Sequence, residues 1–138
     1  MWLKNRMILK KISSLFVAAV TLYLCVFSSA YAIKVDIKCD VETGTRFRSK
    51  ARIEVYGLKP AKYKAAIRSG NGAWVYSKPR KLKGHAEFYF DSHDEPLSTP
   101  ISETFIIDNA IQGQLRDVKT GAQIIKPTST TCDFRTRD

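Results

Sequence analysis

The sequence is poor in the side chains that most enzymes use for chemistry. Its 138 residues include two histidines and three cysteines, and neither a GxSxG nor an HExxH motif occurs. Nucleophilic catalysis needs a serine or cysteine beside a base, and acid–base catalysis needs paired groups in a cleft. A CxxC motif and a spaced Cys/His set are also missing, which argues against a redox or zinc centre. We therefore expect a protein that is not an enzyme and that uses no cofactor.

Acidic residues are missing from residues 1–32, and this absence points to export. Four cations near the start precede a long uncharged run, and the small residues Ala30 and Ala32 follow it. This three-part layout is typical of a secretory signal peptide. We predict that a signal peptide, residues 1–32, is removed after Ala32, whichever of Met1 and Met7 is the true start.

A retained membrane anchor is the alternative for this segment. Residues 12–32 carry no charge, and roughly 20 apolar residues can span a bilayer. Four serines shorten the apolar core to the length found in signal peptides. Cleavage is therefore the favoured interpretation, and it predicts a secreted or periplasmic protein. Residues 33–138 then form a single domain, long enough to bury one core.

Cleavage would leave two of the three cysteines, Cys39 near the start of the mature chain and Cys132 near its end. An even pair in an exported protein predicts one disulfide bond. Such a long closed loop stabilises the folded state by about 4 to 5 kcal/mol in the chain-entropy model. We expect Cys39 and Cys132 to act as a structural staple.

Apolar and polar residues alternate along several short segments, beginning with residues 33–42. A period of two predicts half-buried strands. The last segment, residues 128–134, predicts Cys132 and Phe134 on an inward face, and residues 46–56 predict Phe47 inward and the cations outward. Turns are predicted at residues 57–60 (GLKP) and 69–72, where glycine, proline and asparagine cluster.

The middle and end of the chain predict further strands. A strand is expected at residues 73–77, although its pattern leaves open whether Trp74 and Tyr76 or Val75 faces the core. Residues 78–84 and 91–102 are predicted loops, and residues 104–108 a buried strand. Residues 111–125 predict a hairpin that turns at Gly121.

Seven or eight strands at spacings of about ten residues, with no helical stretch, predict an all-β protein. The favoured fold is an antiparallel β-sandwich with one disulfide, and a small β-barrel is the alternative. The run GLKPAKYKAAIRSGNG, followed by FYFDS, a proline-containing loop, TFI and a closing cysteine, resembles small exported bacterial proteins of uncharacterised function. That resemblance implies an immunoglobulin-like or fibronectin-III-like β-sandwich and export, and it implies no activity.

Charge is the strongest indication of function. The formal net charge is +10, and it falls to +6 when four leader cations are removed with no acid. Residues 46–83 contain twelve Lys and Arg against one acid, Glu54. Such asymmetry favours an acidic partner or surface. If residues 57–60 form a turn, two strands would share one basic face, and we predict that this face binds anions: Arg46, Arg48, Lys50, Arg52, Lys62, Lys64 and Arg68.

The segment KPRKLK, residues 78–83, adds four more cations of the kind found in polyanion-binding clusters. The expected partner is an anionic envelope component, such as lipopolysaccharide or an acidic glycan, or an acidic protein. Nucleic acid is disfavoured, because only Tyr56 is placed to stack with bases. The alternative is a solvated face whose Lys and Arg discourage edge pairing.

Two other functions stay open. A protein-directed module, such as a periplasmic inhibitor or subunit, would present loops such as residues 91–103. A small metal-binding or hydrolytic protein would be centred on His85 and His93, with Asp91 as a third candidate ligand. The segment HAEFYFDSHDE matches neither an EF-hand nor a zinc pattern, so we expect no metal.

Overall fold

The computed structural model describes residues 32–138, and this part of the chain forms eight β-strands and no helix. The all-β prediction and the predicted number of strands are therefore confirmed. All of the predicted signal peptide except Ala32 lies outside the described residues. No helix in the described part is long and apolar enough to cross a membrane. The strands are β1 (Lys34–Gly44), β2 (Arg48–Arg68), β3 (Val75–Tyr76), β4 (Arg80–Asp91), β5 (Ser98–Pro100), β6 (Ala110–Asp117), β7 (Gln123–Thr131) and β8 (Asp133–Arg137).

Hydrogen bonds connect all eight strands into one open sheet, so the described residues do not form the alternative closed barrel. The main path runs β5-β4-β2-β1-β8, and β3, β6 and β7 attach through β2. Two neighbouring pairs, β1 with β8 and β4 with β5, are parallel. The sheet is therefore mixed and not purely antiparallel as predicted. In both parallel pairs a later strand returns beside an earlier one after an intervening segment, which local alternation does not reveal.

Strand β2 is 21 residues long and pairs with β1, β3, β4 and β6. The predicted turn at residues 57–60 is wrong, because the chain continues in the same strand through this segment. The pairing of β2 with β4 shifts register between Val55 and Leu58 and again between Leu58 and Ala61. Gly57 has a φ of 79°. Glycine and proline inside a strand mark bulges as well as turns, and here they make a bulged bend.

The bend divides β2 into two halves with different neighbours. The first half pairs with β1 and β4, and the second half pairs with β6, β3 and the beginning of β4. Residues 80–84, predicted as part of a loop, therefore belong to strand β4. Ribbon β2–β4, defined as these two paired strands, runs along both halves of the molecule.

The core lies between the two halves. Alternation buries Ile53, Val55, Phe88 and Phe90 almost completely. A side chain at Gly113 on β6 would place its Cβ 2.8 Å from Ile37 Cδ1 and 3.0 Å from Ile53 Cδ1. Strand β6 therefore packs closely over β1 and the first half of β2, and a side chain at Gly113 would force the ends of both isoleucines to move.

The disulfide between Cys39 and Cys132 is confirmed, with 4.6 Å between the two Cα atoms. Both cysteines are buried. Strands β1 and β8 are neighbours, with Val41 opposite Phe134, so the first and last strands lie together as expected. A buried disulfide is consistent with an oxidising, extracytoplasmic location.

The hairpin of β6 and β7 is also confirmed, and Gly121 in its turn has a φ of 71°. Val75 packs on the core, whereas Tyr76 is exposed, which settles the open question about β3. Residues 104–108 do not form a strand and contribute only one isolated bridge, from Ile107 to Ala110.

Two aromatic residues predicted to face inward do not. Phe47 and Phe134 are each 55 % exposed. Phe47 lies in the β1–β2 turn, beyond the last paired residues Glu42 and Arg48. Phe134 lies on β8, which ends the main strand path and pairs with β1 alone. Alternation predicts a buried face only where another layer covers it.

Candidate anion-binding surface

Charged side chains along ribbon β2–β4 fall into two groups at opposite ends, separated by the bulged bend. The first group, here called the paired end, is rich in ion pairs. The second group, here called the lysine end, consists of five lysines, and Arg80 beside them donates a hydrogen bond to the Glu87 carbonyl. The paired end comprises Arg48, Lys50, Arg52, Glu54, His85, Glu87 and Asp91, and the lysine end comprises Lys59, Lys62, Lys78, Lys81 and Lys83.

Arg48 and Asp91 make the strongest contact of the paired end. The Nε and one terminal guanidinium nitrogen of Arg48 donate hydrogen bonds of 2.9 and 2.7 Å to the two Asp91 carboxylate oxygens. The same arginine lies 3.0 Å from Glu95 Oε1. The side chains of Arg48 and Asp91 are only 18 % and 10 % exposed. This bidentate, largely buried pair ties β2 to β4.

The contact changes the pKa values of both Asp91 and Arg48. Burial on its own would raise the pKa of Asp91, but hydrogen bonds from Arg48 and from the N–H of His93 lower it below its usual value. The hydrogen bond to Asp91 raises the pKa of Arg48 above its already high value. Both groups therefore stay charged across the physiological pH range.

The next cations of the row also meet acids. Lys50 Nζ lies 3.6 Å from Glu42 Oε1 on β1. Arg52 lies 3.5 Å from a Glu54 oxygen and 4.0 Å from a Glu87 oxygen. Acids on β1, on β4 and on β2 itself therefore neutralise the row. The pleat predicted that these cations point outward, but Glu42, Glu87 and Asp91 come from neighbouring strands and meet the cations only through register.

Glu54, His85 and Glu87 form a compact cluster within the paired end. Their ligand-type atoms all lie within 4.8 Å of one another, and His85 Nε2 is 3.0 Å from Glu54 Oε1 and 3.9 Å from Glu87 Oε1. The ring of Tyr56 stacks on His85 with 4.6 Å between centroids. Hydrogen bonds from Tyr56 and His85 lower the pKa of Glu54. Arg52 contacts both carboxylates, so the cluster already contains its own cation.

The metal candidates from the sequence are therefore separated. No cluster of three metal-type ligands within residues 32–138 includes Asp91 or His93. Asp91 is engaged by Arg48, and His93 lies in the segment after β4. Sequence reasoning missed Glu54 as a neighbour of His85. The signal that could have found it is the β2–β4 register, which places Glu54 opposite Glu87.

The lysine end has no such compensation. Lys62 lies directly opposite Lys81 in the antiparallel pairing of β2 with β4, and Lys83 follows two residues later. Like charges that face each other across a strand pair destabilise it. None of the five lysines forms a salt bridge to a residue within the described range. The local positive charge is therefore available to a ligand.

An open groove lies between the lysines. Pro60, Ala61 and Leu82 line this groove, and its volume is about 480 Å³. Lys62, Lys81 and Lys83 also line the groove. Ala61 and Leu82 are opposite each other immediately after the second register shift. Ala61 and Leu82 alternate with the lysines along the two strands, so their side chains point to the opposite face of the ribbon and pack against the core.

The remaining predicted anion-binding residues lie elsewhere. Lys64 Nζ is 4.7 Å from the Tyr76 ring centroid, and the Arg68 guanidinium is 4.8 Å from the Trp74 ring centroid. Arg68 also donates a hydrogen bond of 2.7 Å to Gln112. Arg46 lies in the exposed β1–β2 turn.

The seven predicted cations therefore do not form one cluster. Strand β2 does not fold back at residues 57–60. Ten residues separate Arg52 from Lys62, which corresponds to roughly 30 Å along an extended strand. The cations before the bend and those after it therefore contact different residues.

No family model, curated protein or solved structure matches this chain.

Proposed function

We propose that the protein is a secreted or periplasmic, non-catalytic binding or envelope-accessory protein that contacts an anionic surface or polymer through the lysine end. One observation carries the proposal. Lys62 faces Lys81 directly, and no salt bridge within residues 32–138 compensates either charge. An anionic ligand would remove this repulsion, so its binding free energy includes relief of a cost already present in the folded protein.

The lysine end is a better candidate than the row from Arg46 to Arg52. Three cations of that row contact carboxylates of the same molecule. A ligand anion would have to compete with Asp91 for Arg48, and that pair has two short hydrogen bonds and little exposure. A ligand that binds the lysines does not have to compete with a carboxylate of the protein.

The chemistry favours an anionic envelope component or an acidic protein over nucleic acid. Aromatic side chains are missing from the lining of the lysine groove, whereas single-stranded nucleic acids bind by stacking on aromatic rings. The predicted signal peptide and the Cys39–Cys132 disulfide support an extracytoplasmic setting, in which anionic glycans and lipids are the abundant polyanions.

An immunoglobulin-like β-sandwich remains part of the proposal. The close approach of Gly113 to Ile37 and Ile53 supports two facing layers. The parallel pairs of β1 with β8 and β4 with β5 are the features that such a classification has to accommodate.

Heparin binding at several salt concentrations tests the proposed function, using the oxidised protein as its host processes it. Polyanion affinity should fall steeply as salt rises. The double variant Lys62→Ala/Lys81→Ala should lose at least about tenfold in affinity, since each lysine near an anionic surface contributes about 1 kcal/mol. The control Lys119→Ala/Lys126→Ala removes the same charge from another part of the surface. A salt-independent isotherm, or equal losses in both variants, would contradict the proposal.

A protein-directed module is the second candidate, and Leu97 favours it. This leucine is 96 % exposed and has a φ of 67°, in the segment 91–103 predicted to present a contact loop. An exposed apolar side chain on strained backbone is a feature of binding loops. If this candidate is correct, Leu97→Ser should abolish capture of a defined envelope protein, whereas Lys62→Ala/Lys81→Ala should not change it.

A metal-binding protein is the third candidate, now centred on Glu54, His85 and Glu87 instead of His85 and His93. Titration calorimetry with Zn²⁺ tests it directly. Binding that His85→Ala removes and His93→Ala retains would support this candidate. The absence of a binding isotherm at micromolar protein would end it.

A further inference from the structure

We propose that the side of β2, β3, β6 and β7 that points away from the core binds the sugar residues of an acidic polysaccharide. The inference rests on the proposed function, because it identifies the anionic polymer that the lysine end contacts. This side of the sheet carries all three glutamines of the chain together with two aromatic rings. It is here called the amide face and comprises Arg68, Trp74, Tyr76, Gln112, Gln114 and Gln123.

The strand pairings place these side chains on one side of the sheet. Ala66 on β2 lies directly opposite Gln114 on β6 and Tyr76 on β3, and residues opposite each other in antiparallel strands point the same way. Arg68, two residues further along β2, shares this direction. Ile67 alternates with them and is completely buried in the core. The amide face therefore points outward.

Direct contacts join the side chains of the amide face. The guanidinium of Arg68 lies 4.8 Å from the centroid of the Trp74 ring, and its Nε donates a hydrogen bond of 2.7 Å to Gln112 Oε1. Gln123 Nε2 donates a hydrogen bond of 2.9 Å to Gln114 Oε1. These contacts hold a ring, a guanidinium and several amides in fixed relative positions, so less ordering is needed when a ligand binds.

The charge beside the amide face is positive. Lys64 on β2 lies directly opposite Arg116 on β6, so two like charges face each other there, as they do at Lys62 and Lys81. Neither of these residues, nor Arg68, forms a salt bridge within the part of the chain that the structure describes. Lys62 precedes Lys64 by two residues on the same side of β2, about 7 Å away. Positive charge is therefore continuous from the lysine end to the amide face.

Two buried donors on this side of β6 lack an acceptor. Gln114 is 1 % exposed, and neither its Nε2 nor the Nε of Arg116 has a hydrogen-bond partner among the described residues. A buried donor without an acceptor destabilises the folded state, so each such group needs an explanation. Both side chains point outward from β6, and a ligand on the amide face can supply the acceptors after small side-chain movements.

The amides select a ligand with hydroxyl groups. A glutamine amide both donates and accepts hydrogen bonds, and a hydroxyl does the same. Sulfate and fully ionised phosphate groups only accept, so they leave amide oxygens without a donor. The ring of Trp74 is half-buried and that of Tyr76 is 42 % exposed, so both offer apolar surface to the C–H groups of a sugar ring. The carboxylates of an acidic sugar would pair with the neighbouring cations.

An acidic peptide and a nucleic acid fit the amide face less well. An extended peptide is bound through its main chain at a sheet edge, whereas the main chain of β2 is already paired with β3 and β6 here. The Cys39–Cys132 disulfide is consistent with an extracytoplasmic location, where acidic polysaccharides are more abundant than single-stranded nucleic acid. Tetraglutamate and tetrathymidylate represent these two polymers in the test.

Matched short ligands test the inference without any mutation, using the oxidised protein as its host processes it. Tetragalacturonate carries hydroxyls and carboxylates, tetraphosphate carries charge alone, and maltotetraose carries hydroxyls alone. At about 0.3 M salt, where charge is well screened, tetragalacturonate should bind at least about tenfold more tightly than tetraphosphate, because two additional hydrogen bonds correspond to more than that factor. Maltotetraose, which lacks charge, should bind more weakly than tetragalacturonate. Equal affinities for tetragalacturonate and tetraphosphate would overturn the inference.

Trp74 provides a signal from the amide face itself. The chain has one other tryptophan, Trp2, which belongs to the predicted signal peptide. The tryptophan emission of the processed protein therefore comes from Trp74. Tetragalacturonate should change this emission, and tetraphosphate bound at the lysine end should leave it unchanged. Unchanged emission at saturating tetragalacturonate would show that the sugar does not contact this ring, which contradicts the inference.

Tyr76→Ala and Gln112→Ala remove a ring and an amide without changing the net charge. Each should weaken tetragalacturonate binding by about fivefold and leave tetraphosphate affinity within about twofold. The matched control is Tyr89→Ala on β4, since Tyr89 is also 42 % exposed. Equal losses in Tyr76→Ala and Tyr89→Ala would overturn the assignment to this face. Thermal unfolding monitors whether each variant is folded, and the comparison of ligands stands if one is not.

The outcomes separate the two proposals. Salt-sensitive heparin binding that depends on Lys62 and Lys81, without any preference for tetragalacturonate over tetraphosphate, leaves the proposed function standing and refutes the polysaccharide inference. Tetraglutamate or tetrathymidylate that binds as tightly as tetragalacturonate also refutes it, because the ligand would then be an acidic protein or a nucleic acid. Failure to bind heparin and tetragalacturonate alike refutes both.

Discussion

The two ends of ribbon β2–β4 display cations in a similar way, yet they differ in what lies opposite. At the paired end, Arg48 and Arg52 meet Asp91, Glu54 and Glu87 from the same strand pair. At the lysine end, Lys62 meets another lysine. The same outward pattern along one strand therefore produces a structural ion-pair network in one half and uncompensated charge in the other.

The comparison shows that the role of a cation in a sheet depends on its cross-strand neighbour. Arg48 is largely buried and holds two strands together, so it is unsuited to bind a ligand. The lysines have long, flexible side chains and no acid to satisfy, so they can reorganise around an anion. The basic segment with the fewest internal contacts is the better candidate for binding.

The largest expected effect is on the paired end. Asp91→Ala leaves the guanidinium of Arg48 without its main partner and also removes the acceptor of the His93 N–H. We expect the free energy of unfolding to fall by about 3 kcal/mol, at the lower limit for buried pairs because both side chains retain some exposure. Urea denaturation measures the change.

The matched variant at the other end is Lys81→Ala, which should change the unfolding free energy by less than about 0.5 kcal/mol. A loss below about 1 kcal/mol for Asp91→Ala would remove the structural distinction between the two ends.

The paired end should also contribute to the loss of stability at acidic pH. The pKa of Asp91 is lowered in the folded state, so its contribution is present above its unfolded value of about 4 and is lost as pH falls through the lowered folded value. Between about pH 5 and about pH 2.5, the free energy of unfolding should therefore fall further in the unmodified protein than in the Asp91→Asn variant. Urea denaturation at both pH values provides the slopes, and parallel slopes would show that Asp91 does not contribute.

The smallest expected effect is a gain at the lysine end. Lys62→Glu converts the repulsive pair with Lys81 into an attractive one, and we expect the melting temperature to rise by about 2 °C. Heparin affinity should fall in the same variant. Lys126→Glu makes the same charge change on β7 and serves as the control. A lower melting temperature for Lys62→Glu than for this control would refute the assumption that Lys62 and Lys81 repel each other.

Local pattern predicted what depends on one strand at a time. Alternation placed Ile53, Phe88 and Cys39 inward, and all three are buried. It also placed the cations of residues 48–52 outward. The composition of residues 78–83 marked the basic segment that supplies part of the lysine end.

What the pattern could not predict depends on pairing between distant strands. Gly57 and Pro60 are equally compatible with a turn and with a bulge, and the long pairing with β4 decides in favour of the bulge. Apart from Glu54, which lies on β2 itself, the acids that pair with the row come from β1 and β4 through register. Ala61 and Leu82 line the same groove because they are opposite each other across that same pairing.

The most direct test of the difference between the two ends is an amide chemical-shift titration of the isotopically labelled protein with a heparin oligosaccharide. We expect the largest shifts in residues 59–64 and 78–84 and only small shifts in residues 48–54. Largest shifts at residues 46–52, with residues 78–84 unchanged, would contradict it.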